Sequence, residues 1–321
     1  ILQKRMDKQQ NKRFLRGLLL LVLFWVVLGV HANPIDSLQG LLQAAPTHDR
    51  HRVRLLNELA QQSLQTDSAL AFQSVRKALA LSQQWGDTTG QATAHYLRGK
   101  LLSYYESDRL ALDSYLKAIA LAQTQGDSAS VASYLLACGA SYSGVGQVDD
   151  AHRCFERALH IAQAHNDQSM QIRCLGNLSV VFTGLGQYQQ ALEGYERALE
   201  LLEGGHDRRT QAQVYNNMGE ISKYQGNYPE ALELYHKSLL LKEHDADTAG
   251  QATTLVNMAS IYTLQGDAQR ALKSLNSALA LAQRHSNKRL LMLCYEGFGK
   301  LYLQQNKPEA LASFEQALAL A

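Results

Sequence analysis

"GLGQYQQALEGYERALEL", residues 184–201, opens on two glycines one residue apart and runs straight into a helical pattern of apolar residues. Glycines in front of a helix often cradle phosphate, because the first N–H groups of the helix are unpaired and its dipole favours an anion. The stretch "GVGQVDDAHRCFERALHI", residues 144–161, uses the same device forty residues earlier. A phosphate loop follows a strand and ends in a Lys-Ser/Thr pair. Gly184 and Gly186 follow a helical pattern instead and lack that pair. They read as the turn of a repeat.

The register of that repeat is regular. Ala71, Ala111, Ala151, Ala191, Ala231 and Ala271 stand forty residues apart, and Ala310 follows at thirty-nine. Four residues after each comes a bulky apolar side chain: Val75, Tyr115, Phe155, Tyr195, Tyr235, Leu275 and Phe314. Three further on is a small one, from Ala78 to Ala317. Offsets of four and three place these side chains on one face of a helix. A second helical pattern precedes each of these, in most units with a small residue twelve positions before the alanine: Gly99, Gly139, Ser179, Gly219, Ala259 and, one out of step, Gly299. Glycine inside a helix costs about 1 kcal/mol against alanine, so its recurrence predicts a close helix crossing.

Gly146, Gly186, Gly226 and Gly266 recur at forty where the first helix of each pair should stop, the usual place of a left-handed glycine cap. Pro229 and Pro308 stand at the start of the following helix, where a missing N–H does no harm. Asp87, Asp127, Asp167, Asp207, Asp247 and Asn287 mark a second turn between units and are placed to cap the next helix.

The 321 residues are 46% hydrophobic, ample for a sizeable core, and alternating strand patterns are hard to find. The net charge of +2 is concentrated at the front. Lys4, Arg5, Lys8, Lys12, Arg13 and Arg16 stand against Asp7 alone, so the chain from Asn33 onward is slightly acidic. It carries no basic stripe, which argues against a nucleic-acid partner.

The basic leader precedes an apolar run from Leu18 to Val30, short of the roughly 20 residues that span a bilayer. Residues 1–32 read as a signal peptide, with small residues around Val30-His31-Ala32 and a cut before Asn33. An uncleaved membrane anchor is the alternative. Cys138, Cys154, Cys174 and Cys294 fit no metal site or disulfide framework. They read as buried thiols, with a Cys154–Cys174 bridge as the alternative.

Gly and aromatic on a first helix, then Ala, aromatic, Ala and Leu on a second, resemble the tetratricopeptide repeat. "GNYPEALELYHKSLLL" (226–241), "GQYQQALEGYERALEL" (186–201) and "NKPEALASFEQALALA" (306–321) carry the likeness best. The expected fold is all-α: a right-handed α-solenoid of about seven helix-turn-helix repeats over residues 52–321, after a linker or short capping helix at 33–51. Leu59 and Gln62 make the first leading helix degenerate, and Leu102 replaces an aromatic in the second. The usual repeat has 34 residues, so six more add roughly 1.7 helical turns per unit.

The resemblance implies a peptide- or protein-binding groove lined by the first helices. Asn177, Asn217 and Asn257 form a column at forty, with Asn57 on the same register. In relatives that grip peptides, Asn at the matching place holds the ligand backbone; tying neighbouring helices together is the alternative role. Arg173, Asn216, Glu220, Lys223 and Lys300 lie nearby on the same helices. The family's basic pattern for a terminal carboxylate is not reproduced.

Catalytic signatures are missing from the sequence. "GASYSG" (139–144) has the wrong spacing for a nucleophile elbow, and the eleven histidines show no metal-ligand spacing. Glu193 and Glu196 belong to a solvated helix face. The reading is a non-enzymatic scaffold without metal or cofactor, its partner a protein or peptide, with a homodimer possible. "ALALA" closes the sequence inside a helix, with no polar capping element, so the natural polypeptide is expected to continue. The front of the array is similar to extracytoplasmic sensor regions of bacterial signalling proteins of the histidine-kinase type. The expected role is therefore an exported, periplasmic or extracytoplasmic input module for signal transduction, membrane-tethered through the leader or a later segment. A free-standing exported scaffold for envelope assembly is the alternative, and an enzyme with an unrecognised site the remote one.

Overall fold

The structure, a computed structural model, describes residues 34–44, 50–204 and 207–320. Among them are fifteen α-helices and no strand, as the periodicity predicts. The chain divides into two compact units, residues 1–146 and 147–321. The expected signal peptide, residues 1–32, lies outside the described residues. None of the described helices is long and apolar enough to cross a membrane.

The first unit holds α1 (Pro34–Ala44), α2 (Arg50–Ser63), α3 (Ser68–Gln84), α4 (Thr88–Tyr105), α5 (Asp108–Thr124) and α6 (Ser128–Gly144). The second opens with α7 (Val148–Ala164), followed by α8 (Gln168–Gly184), α9 (Tyr188–Leu202), α10 (Arg208–Tyr224) and α11 (Tyr228–His244). It continues through α12 (Thr248–Leu264), α13 (Ala268–Arg284), α14 (Lys288–Gln304) and α15 (Glu309–Leu318). Even-numbered helices from α2 onward carry the Gly column, and odd-numbered ones from α3 onward the Ala column. Each unit is a stack of such helices, of the solenoid class.

The forty-residue period has a simple origin. Helices α7 and α8 each run 17 residues, and a three-residue turn separates each helix from the next. Both turns of a unit work alike. Gly186 and Gly226 take the left-handed conformation, with φ of 72° and 77°. Between units glycine holds the same conformation at Gly86 and Gly126, with φ of 59° and 68°, and Asn166, Ala246 and Ser286 hold it at 53°, 53° and 48°. At the last three the sequence gives no glycine signal; the caps supply the rest. The carboxylates of Asp87 and Asp247 accept from the backbone N–H of Gly90 and Gly250 at 3.1 and 2.9 Å.

Small residues decide how the helices cross. A Cβ on Gly99 would sit 2.6 Å from the Tyr115 ring, and one on Gly299 would sit 2.6 Å from Phe314. On Gly219 it would lie 2.9 Å from Tyr235. In each pair the ring of the second helix lies against bare backbone of the first. Ala111, Ala151, Ala191, Ala231 and Ala271 are fully buried. The four cysteines are free and buried, so the Cys154–Cys174 bridge does not form. Burial pushes the Cys174 thiol up to about 12 and the Cys294 thiol to about 11, which leaves both un-ionised at neutral pH.

Two outcomes follow from this packing. Ala191→Leu forces three further heavy side-chain atoms into a closed contact and should lower stability by about 1–3 kcal/mol in urea denaturation. His95 stands on α4 where the repeat has Leu55 and Leu135, and it is half-buried. Burial lowers its pKa, and the nearby Lys117 and Arg98 charges lower it further, against Asp113. The folded first unit therefore prefers neutral His95, and its stability falls as pH drops below about 6.5. Urea midpoints measured from pH 7.5 to 5.5 should fall less in His95→Leu than in the parent chain.

Candidate ligand-binding grooves

In each unit the even-numbered helices keep one face that the odd-numbered helices do not cover. In the first unit a groove of about 540 Å³ lies between α2 and α4, lined by Arg50, Arg54, Asn57, Glu58, Thr93 and Tyr96. The α2 contributors follow helical spacing, so they share one face. Asn57 donates through Nδ2 to the Gly90 carbonyl at 3.2 Å. Its Oδ1 is buried with no hydrogen-bond partner. A Cβ on Gly90 would sit 2.5 Å from Val53, so the glycine lets the two helices approach there. Tyr96 stacks on Tyr134 at 4.6 Å, and Lys100 donates to Gln61 at 3.3 Å.

In the second unit a groove of about 540 Å³ runs between α12 and α14, with one edge from α10. Lys223, Asn257, Ser260, Glu296 and Lys300 supply its polar lining, over an apolar floor of Val256, Ala259 and Leu293. The carboxamide of Asn257 donates through Nδ2 to Asn216 Oδ1 at 3.3 Å. That bond leaves Asn257 Oδ1 as an acceptor. Lys223 sits 3.9 Å from Glu220 Oε1 and lies over the Tyr224 ring at 5.2 Å. Glu220 Oε1 accepts in turn from the Tyr224 hydroxyl at 3.0 Å.

The column of asparagines thus splits. Asn257 lines the second-unit groove with Lys223 and Lys300, and Asn216 and Glu220 hold its edge. Asn57 lines the first-unit groove. Asn217 turns toward α9, where its Nδ2 contacts the Tyr195 hydroxyl at 3.1 Å. Burial pushes the Tyr195 phenol up to about 12, although the Asn217 bond pulls the other way. On α8, Asn177 is half-buried and Arg173 exposed, and neither lines these two grooves. Arg50, Arg54, Tyr96, Ser260 and Glu296 are groove residues that sequence reasoning missed. Helical spacing from Asn57 and Asn257 would have found Arg50, Arg54 and Ser260, whereas Tyr96 and Glu296 stand on the next first helix, one residue before the forty-residue register of those asparagines.

Among the described residues no group of three or more His, Cys, Asp or Glu is arranged to hold a metal ion.

Stacked helix pairs with an uncovered face define a helical-repeat scaffold. The tetratricopeptide repeat profile matches residues 130–204, 171–244, 210–284 and 250–321, more than half of the chain, and the chain belongs to that family. Among solved structures it is similar to a Rap protein complexed with Competence and Sporulation Factor. The TM-score is 0.70 at 16% identity, covering 91% of this chain and 84% of that one. It is similar also to NprR in complex with its cognate peptide NprX, at TM-score 0.63 and 20% identity, covering 98% of this chain and 89% of that one. BtubC from P. vanneervenii matches at TM-score 0.59 and 21% identity over 70% of this chain and 93% of its own. At these identities the likeness is one of fold. No curated protein sequence matches the chain.

The split among the asparagines has a measurable consequence. Asn217→Ala leaves the buried Tyr195 hydroxyl without its partner and should lower stability by about 1–2 kcal/mol in urea denaturation. Asn177→Ala breaks no such bond and should stay within about 0.5 kcal/mol of the parent chain.

Proposed function

We propose that the chain is a non-enzymatic scaffold that holds an extended peptide or protein segment in the second-unit groove. The observation that carries this reading is the gathering of Lys223, Asn257 and Lys300 around one apolar floor. An extended segment presents backbone N–H and C=O groups at regular intervals, and each must find a partner when it leaves water. Asn257 Oδ1 offers an acceptor to an N–H, the lysines offer donors to carbonyls, and Val256 and Leu293 accept an apolar side chain. Two proteins of similar fold were solved as complexes, one with Competence and Sporulation Factor and one with a cognate peptide, which supports the same use here. The basic leader and apolar run of residues 1–32 support the wider reading of an exported, extracytoplasmic input module in a longer signalling protein.

Selection of random 12-residue displayed peptides against the full chain tests the groove. Enriched peptides should lose at least ten-fold in affinity on Asn257→Ala and on Lys300→Ala, with the urea midpoint unchanged in the second, whose side chain is exposed. Peptides that bind both variants as tightly as the parent chain would show that the groove is not the site.

A further inference from the structure

Lys242, near the end of α11, occupies a position that recurs every forty residues as Ser82, Ala122, Ala162, Leu202 and Ala282. All five are buried, and so is Lys242, the one buried charged side chain among the described residues. Burying an ammonium is costly unless it is well partnered, so an apolar residue there would be the simpler structural solution. The surroundings are built to admit the lysine. A Cβ on Gly250 would sit 3.0 Å from Lys242 Cδ, so the glycine clears its path. At the end of that path Nζ donates to Thr254 Oγ1 at 2.7 Å. Thr254 is fully buried on α12, where the same position elsewhere holds Ala94, Tyr134, Cys174, Val214 or Cys294.

The chain of contacts continues toward the groove. Thr254 Oγ1 lies 3.2 Å from Asn216 Oδ1 and 3.1 Å from the Gly250 carbonyl. Asn216 Oδ1 also accepts from Asn257 Nδ2, and Asn257 lines the groove. Arg209 on α10, Asp245 in the turn and Asp247 at the α12 N-cap are the charged groups that line a recess beside Lys242.

We propose that Lys242 is a positioning residue for the groove, its proton setting the direction of the hydrogen-bond chain Lys242–Thr254–Asn216–Asn257. An ammonium has three N–H groups and no lone pair, so it donates to Thr254 and sends the threonine hydrogen outward, toward Asn216 or Gly250. A neutral amine has a lone pair that competes for that hydrogen. When the amine takes it, Asn216 Oδ1 keeps only Asn257 as a donor, and both carboxamides gain freedom. Burial lowers the Lys242 pKa to about 8, with Asp247 acting in the opposite direction, so the change falls in an accessible range. Below that range the chain runs from ammonium to groove; above it the groove carboxamide is released. The consequence for binding rests on the peptide reading above, whereas the coupling itself does not.

The test therefore uses no ligand. Side-chain amide resonances of Asn216 and Asn257, recorded on the full chain by NMR from pH 6.5 to 9.5, should shift with a midpoint near 8. Lys242→Met and Thr254→Val should each remove that titration; the second keeps the lysine and covers the case in which the first fails to fold. Amides that stay still while the Lys242 carbon resonances titrate would overturn the proposal, as would amides that titrate alike in parent chain and variants. If the amides respond as expected but library peptides show no preference for the groove, the coupling stands and the peptide reading falls.

Discussion

The structure depends on the contact between a bare helix backbone and an aromatic ring. Where Gly99, Gly219 and Gly299 face Tyr115, Tyr235 and Phe314, no Cβ separates ring from backbone. That contact sets how near the two helices of a pair lie. Once the pair is closed on one side by small residues and rings, its other helix face is left over. The grooves are what remains of the even-numbered helices after their packing is satisfied, which is why they are continuous with the helix rather than with a loop. The turns then keep the pairs in step. Two 17-residue helices and two three-residue turns give a forty-residue unit, and a change in any of the four lengths would rotate the next face out of line.

Much of this was legible in the residues, because the fold repeats its physics. The Ala and aromatic columns are a helix face read at spacings of three and four, and the cap residues carry their own chemistry. The left-handed turns at Asn166, Ala246 and Ser286 were not legible, since three different residues hold one conformation that glycine holds elsewhere. Here the flanking helices and the Asp or Asn caps enforce the turn, and the local residue merely tolerates it.

The grooves were less legible than the fold. A column of asparagines at forty gives a register and says nothing of where each carboxamide turns. Asn217 finds the Tyr195 hydroxyl, since Gly176 stands on the preceding first helix where Asn257 has Asn216, and that bond takes it out of the groove. Asn257 finds Asn216 instead and stays. Identical residues in identical register thus part company over a neighbour's single oxygen. Lys242 was overlooked for a related reason. It interrupts an apolar column, and interruptions in a repeat are where a sequence departs from packing alone.

We propose that the face of α12 and α14 left free by packing is the face that binds. Amide hydrogen exchange of the chain, with and without a library-selected peptide, tests this directly. Binding there should add protection in residues 248–264 and 288–304, with the odd-numbered helices unchanged. Protection centred on α11 and α13 would contradict it and would put the ligand on the opposite side of the repeat.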